Sequence, residues 1–335
     1  MWFEKLVGFK EESPEQVRNN LFICENKLIS KINGKEYQYG QLEIPTLNEL
    51  KMNAPHREIY KDKISISEIV GDVKDLHKMK QNHGAIFQVA SQFNLLEMVG
   101  PHISPERGVD IYERDYTQGP SCAIACGAGT IYRNYFAKIN DQIGQTSELQ
   151  INCLDEIEKD IFKSGAKLWD MKNGYLLISK DNLITVDNFL NSISQLEIED
   201  LQKKLRVGIQ KDTEVTISAS KQVVSQVYCS ALPISYSSLP KNLWENFARL
   251  ILDATYEATF YAALENYEET ENEKLYLTLV GGGVFGNKLT WILDAIEKSI
   301  LKFKNTPLDV KIVSYNTSNM EIQDFIKNLK NKNYR

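Results

Sequence analysis

Two stretches of this chain hold residues whose types and spacing could do chemistry. The first is LTLVGGGVFGN at residues 277–287, with Gly281, Gly282, Gly283 and Gly286 around Val284 and Phe285, and Asn287 at its end. An apolar, strand-like run ends there in a glycine-rich turn. A helical pattern follows at Leu289, Ile292, Leu293, Ile296 and Ile300. Glycines let backbone N–H groups approach an anion closely, and a helix N-terminus adds partial positive charge. The spacing therefore predicts a phosphate cradle. It is not a Walker loop, because no glycine-lysine-serine/threonine ending is present. With only one strand after it, it also makes a poor dinucleotide fingerprint. The second stretch, residues 108–120, is the richest in titratable groups. It carries Asp110, Glu113, Arg114 and Asp115, then Gly119, Pro120 and Ser121. Proline suits the first turn of a helix, so this stretch predicts a helix over 120–138.

Elements to position these stretches are readable in the hydropathy pattern. Residues 64–70 and 85–90 read as strands, as do 223–232 and 310–313. Residues 242–265 predict an amphipathic helix, with Leu243, Phe247, Leu250, Ala254, Ala258 and Tyr261 on one face. Alternating strands and helices argue for an α/β fold with a mostly buried sheet. Residues 1–60 read as an N-terminal extension packed on a core domain of 61–335. Residues 141–200 read as a polar insertion or lid, with a hairpin around Asn173 and Gly174.

At 335 residues the chain can form one large or two ordinary domains, and 42% hydrophobic content suffices for a core. No apolar run is long enough to span a bilayer, and the N-terminus lacks a signal-peptide core, so no membrane partner and a cytoplasmic or nuclear setting are expected. The net charge of −6 argues against broad nucleic-acid binding but leaves room for one small anion held by backbone donors. Five scattered cysteines predict small, buried, reduced thiols, with no metal and no cofactor; Cys122 and Cys126 lie four apart without nearby histidines. Tyr132 to Phe136 predicts core packing, with Arg133 extending outward. His77, His83 and His102 are unpatterned.

In order along the chain, these motifs resemble the macrodomain family. Residues 69–73, Ile-Val-Gly-Asp-Val, are similar to the Gly-Asp-Ile turn that opens macrodomains. Residues 85–91 resemble the Ala-Ile-Val-Asn-Ala-Ala-Asn strand, with Gln88 and Ser91 in place of the asparagines, and Asn94-Leu95-Leu96 follows. Residues 118–124 resemble the glycine-rich start of the first helix. Gly283-Val284-Phe285-Gly286 is similar to the second phosphate loop, Gly-Ile-Phe-Gly. The resemblance covers roughly 64–136 and 223–316. It departs from the family pattern in the missing asparagine pair, in the twenty or so residues between Leu96 and Gly119, and in the 141–200 insertion. Its size approaches that of poly(ADP-ribose) glycohydrolases, whose Gly-Gly-Gly…Gln-Glu-Glu signature is absent.

The resemblance implies a three-layer α/β/α macrodomain-like fold with a mixed central sheet, and a site for ADP-ribose. Asp72 and Val73 would meet adenine, with Tyr315 and Asn316 flanking the ring. Gln88 and Asn94 would lie near the ligand. Gly119, Pro120 and Ser121 would offer one helix N-terminus to the diphosphate, and residues 281–287 would wrap the diphosphate and distal ribose. Cleavage at the anomeric carbon passes through an oxocarbenium-like transition state, which a carboxylate can stabilise while an acid protonates the leaving group. Asp115, then Glu113 and Asp110, are the candidates, with Asn287 and Asp294 as alternatives. The implied activity is an ADP-ribosyl hydrolase acting on an ADP-ribosylated protein. Competing readings are a non-catalytic ADP-ribose reader, a polymer glycohydrolase, and a hydrolase of another nucleotide sugar or phosphate ester.

Overall fold

The computed structural model describes residues 1–55, 60 and 62–333. The expected boundary between residues 60 and 61 touches residue 61, which lies outside the described residues. Seven strands form the central sheet: β1 (Gln41–Glu43), β2 (Ser65–Val70), β3 (Ile86–Ala90), β4 (Gly208–Glu214), β5 (Val223–Cys229), β6 (Lys274–Leu277) and β7 (Asp309–Ser314). Their order is β1-β4-β5-β3-β6-β7-β2. From β5 to β2 all neighbours run parallel, whereas β4 is antiparallel to both β1 and β5. The sheet is therefore mixed, as expected.

Parallel neighbours need crossover connections, which helices supply. They include α1 (Val73–Lys78), α2 (Gln118–Ala125), α3 (Gly127–Tyr135), α4 (Glu245–Thr270) and α5 (Leu289–Lys302). Successive residues of a strand face opposite sides, and β3 shows what lies on each. The Phe87 ring stacks on His77 of α1 with centroids 3.9 Å apart. The next residue, Gln88, donates its side-chain N–H to Thr259 of α4 at 2.9 Å. The central strand is covered on both faces, which is why it reads as an apolar run interrupted only by Gln88.

Two helices differ from expectation. α4 begins at Glu245 and is buried around most of its circumference, including Ala254, Thr255, Tyr256, Ala258 and Thr259. It packs against β3, β5 and β6 on one side and α5 on another, so a single apolar face is too narrow a description. The helix expected over 120–138 starts at Gln118 and breaks at Cys126 (φ −114°, ψ 58°). The Gly127 N–H leaves the helical ladder for Thr216 Oγ1 at 2.9 Å, and the Ala125 carbonyl accepts from the Thr216 N–H at 2.9 Å. A β-carbon on Gly127 would come within 2.6 Å of the Trp2 ring. The N-terminal helix (Trp2–Val7) thus seats in the break, and Phe3 and Leu6 join Ile124, Ile131 and Tyr135 in a second apolar cluster.

The hairpin of the inserted segment pairs Trp169–Lys172 with Tyr175–Ile178. Asn173 (φ 49°) and Gly174 (φ 78°) make its two-residue turn, the backbone that an Asn-Gly pair favours. Of the five cysteines, Cys122, Cys126, Cys153 and Cys229 are buried; Cys24 is exposed, a correction to the uniform burial expected. Among the described residues no helix is long and apolar enough to cross a membrane.

Candidate functional site

The parallel strands β5, β3, β6, β7 and β2 end along one edge of the sheet. Ligands of open α/β sheets bind outside this carboxyl edge. Here the edge carries Ala231 after β5, Ser91 and Gln92 after β3, residues 278–285 after β6, Tyr315 after β7 and Asp72 after β2. A cleft of 280 Å³ opens at the β3 and β6 ends, bringing Gly119 and Pro120 of α2 together with Gly281, Gly283, Val284 and Phe285. The two glycine-rich turns, 160 residues apart in sequence, share one cavity.

Each turn is held by its own hydrogen bonds. The amides of Gly282, Gly286 and Asn287 donate to Leu279, Gly283 and Gly281 carbonyls at 2.9–3.0 Å. The Asn287 side chain clamps the loop base, donating to the Leu232 carbonyl at 2.9 Å. Those of Gly283, Val284 and Phe285 have no hydrogen-bond partner among the described residues. Gly283 and Val284 are exposed. On the other side, Gln118 bridges α2 to β3: its side chain donates to the Gln88 carbonyl at 2.9 Å and accepts from the Ala90 N–H at 3.0 Å. Gly119 is needed for that approach, since a β-carbon there would lie 2.0 Å from the Ala90 carbonyl oxygen.

Two carboxyl groups line the cleft. Asp115 is half-buried, and its Oδ1 accepts from the Thr117 N–H and hydroxyl at 2.9 and 2.7 Å. Glu97 is buried (3% exposed), and its Oε1 has no hydrogen-bond partner. Burial pushes its carboxyl well above the ordinary range; the Arg133 charge pulls it back in part, and Asp115 pushes it further up. Burial of this kind favours the protonated form of the carboxyl. An acid beside a more accessible carboxylate is the arrangement that general acid–base catalysis uses. Sequence reading missed Glu97. The available signal was an acidic residue enclosed by Leu95, Leu96 and Met98.

The remaining expected residues occupy varied places. Asp110 is buried in an ion pair with Arg107 (2.8 Å), and Glu113 Oε2 accepts from the Trp2 N–H at 3.0 Å; neither lines the cleft. Gln88 lies beneath the floor, its Oε1 accepting from the Thr278 N–H at 3.2 Å. Asn94 Nδ2 donates to Gln150 Oε1 (2.8 Å), and Ser121 donates its N–H to the Thr117 carbonyl (3.2 Å). Asp72 caps α1 by accepting from the Lys74 N–H at 2.7 Å, with Val73 buried behind it. Tyr315 is exposed and Asn316 is left-handed (φ 63°), both beyond the end of β7. Asp294 pairs with Arg249 at 2.8 Å, away from the cleft.

The inserted hairpin forms one wall of the site. Tyr175 lines the cleft and donates its hydroxyl to the Met98 carbonyl at 2.6 Å. Its ring lies 5.0 Å from Tyr236 and 5.5 Å from Phe285, which line the same side. A larger cavity of 880 Å³ lies elsewhere, between the insertion and Thr46. Its lysines and carboxylates largely pair with one another, as Lys204 and Lys163 do with Asp160.

No family model matches the sequence, and no curated protein matches it. Among solved structures, the chain is similar to poly(ADP-ribose) glycohydrolase from Thermomonospora curvata, with 8% identity over 95% of each chain and a TM-score of 0.45. The same enzyme bound to the inhibitor ADP-HPD matches at 9% identity and a TM-score of 0.43, again over 95% of each chain. Poly(ADP-ribose) glycohydrolase from Deinococcus radiodurans in complex with ADP-ribose matches at 9% identity and a TM-score of 0.43, over 87% of this chain and 94% of that one. At such identities the site has to be read from this chain's own residues.

Proposed function

We propose that the cleft binds an ADP-ribose derivative and hydrolyses the glycosidic bond at its distal anomeric carbon. The observation that carries this reading is the buried, unpartnered Glu97 carboxyl lying where the two glycine-rich turns converge. Free amides at Gly283, Val284 and Phe285 suit a diphosphate, as does the N-terminus of α2. From β6 to β2 is two interstrand spacings, roughly 10 Å, so an extended nucleotide gripped at the cleft would lay its base toward Tyr315 and Asp72.

In this reading the Glu97 carboxyl gives its proton to the departing oxygen as the C1–O bond breaks. Asp115 takes a proton from the water that bonds to C1. The products are ADP-ribose and a free hydroxyl, and the proton on Asp115 returns to Glu97 through solvent. An alkoxide leaving group needs such an acid, whereas a carboxylate leaving group does not. The reading therefore favours a bond to a hydroxyl, whether a side chain of an ADP-ribosylated protein or the next ribose of a polymer.

Calorimetry with ADP-ribose, followed by release assays on serine-linked peptide and on polymer, tests this. Binding with release from at least one substrate is expected, with release slowed by about 10²–10⁴-fold in Glu97→Gln. Absence of ADP-ribose binding would overturn the site; binding without release from either substrate would make the chain a reader.

A further inference from the structure

Arg133 lies on α3 and is 1% exposed. No carboxylate stands within ion-pair distance of it among the described residues. Its guanidinium instead donates to the Leu95 carbonyl (3.2 Å), Gln210 Oε1 (3.3 Å) and Thr130 Oγ1 (3.0 Å), and lies 3.6 Å from the Tyr228 ring centroid. A buried cation without an anion is costly, and packing alone would be served by an apolar side chain. Leu95 is left-handed (φ 64°), and the turn it makes carries Glu97 two residues later. The guanidinium is thus bonded to the backbone of the very turn that aims the acid.

We propose that Arg133 is a positioning residue, fixing the 95–97 turn and steadying the Glu97 carboxylate that forms once its proton has passed to the leaving group. This rests on the functional reading above. Arg133 and Asp115 act on Glu97, and the groups that feel its charge in turn come from several elements around it. Asp115 flanks the start of α2, and Tyr112, whose hydroxyl accepts from the Glu97 N–H at 2.9 Å, lies on the segment before it. Tyr175 stands on the hairpin, Cys122 on α2, and Tyr228 and Cys229 on β5. All of these are neutral or acidic; Arg133 is the cation of the set and opposes the effect of burial on Glu97. Once Glu97 is anionic, its charge is attracted by that of the buried guanidinium, short of a direct ion pair.

Infrared difference spectra, taken against Glu97→Gln, follow the Glu97 carboxyl band with pH and without any substrate. In Arg133→Gln the band should persist to a pH about one unit higher than in the wild type. In Arg133→Lys the titration should stay near wild type, because the charge remains, while kcat falls at unchanged KM because the Leu95 carbonyl loses its fixed donor. An unshifted titration in Arg133→Gln would overturn the proposal. Should that variant not fold, an Arg133→Lys enzyme with wild-type kcat would overturn it. Because the titration needs no ligand, a wild-type chain that fails to bind ADP-ribose would sink the functional reading without touching this result.

Discussion

Glu97 and Gly119 are in contact across the cleft floor: a β-carbon on Gly119 would lie 2.3 Å from Glu97 Oε2. The one glycine both lets α2 approach β3 and leaves space for the acid. Gly119→Ala should displace the carboxyl or the helix start. A displacement near 1 Å at a reacting group costs about 100-fold in rate, so kcat/KM should fall by about that factor, and the clash with the Ala90 carbonyl should lower the melting temperature as well. Unaltered kcat/KM would show that the contact has no bearing on the chemistry.

The two cleft carboxyls should separate by role. Glu97→Gln removes the acid and should lower kcat by about 10²–10⁴-fold on a hydroxyl-linked substrate while ADP-ribose still binds. A substrate with an acyl-linked ribose needs no such acid and should be spared most of that loss. Asp115→Asn should impair both substrates. Equal losses for Glu97→Gln on both linkages would contradict the assignment of a proton donor.

The loop glycines should divide into those serving the fold and those serving the ligand. Gly286 has φ +75°, and a β-carbon there would lie 1.9 Å from Ser235 Oγ. Gly286→Ala should therefore lower the melting temperature. A β-carbon at Gly283 meets open space in the cleft. Gly283→Ala should leave melting unchanged and weaken ADP-ribose binding, because the added methyl group occupies the place a phosphate would approach. Unchanged affinity would place the diphosphate elsewhere.

Glu11 predicts a pH dependence of stability. Burial pushes its carboxyl up to about 7, partly offset by hydrogen bonds from the Tyr135 hydroxyl (2.7 Å) and the Asp110 N–H (2.6 Å). A raised folded value means the contribution is fully present below about 4.5 and is lost as pH rises through about 7. His77, pushed down to about 4 by burial, slopes the other way between about 4 and 6.5. The difference between Glu11→Gln and wild type isolates Glu11. By exposed area the residue is only half-buried, so about 1–2 kcal/mol is expected in favour of the variant at pH 8, vanishing near pH 4.5. A pH-independent difference in melting temperature would contradict this.

Much of the site was legible because it rests on local backbone chemistry. Three consecutive glycines after an apolar run and an Asn-Gly turn impose their geometry within a few residues and form where expected, while the Gly-Pro helix start lies inside a helix that begins at Gln118, two residues before Pro120. Less legible were features settled by distant neighbours. Arg133 reads as an outward-reaching side chain at a helix end, yet β4, β5 and the 95–97 turn enclose it. The helix through Cys126 breaks because Thr216 and Trp2 pack into it. Asp110 and Glu113 share a charged stretch with Asp115, but the N-terminal segment and Arg107 engage them, and only Asp115 reaches the cleft.

By itself the sequence determined which segments could cradle an anion and that alternating elements would bury a sheet between helices, since glycine conformational freedom and hydrophobic period are properties of short stretches. Only the tertiary structure decided that the turns at Gly119 and Gly283 line one cleft, and that Glu97, rather than Glu113 or Asp110, is the buried carboxyl that lines it with them. Burial and its effect on a proton depend on what surrounds a group in space, and the groups that enclose Glu97 come from strands, helices and a hairpin far apart along the chain.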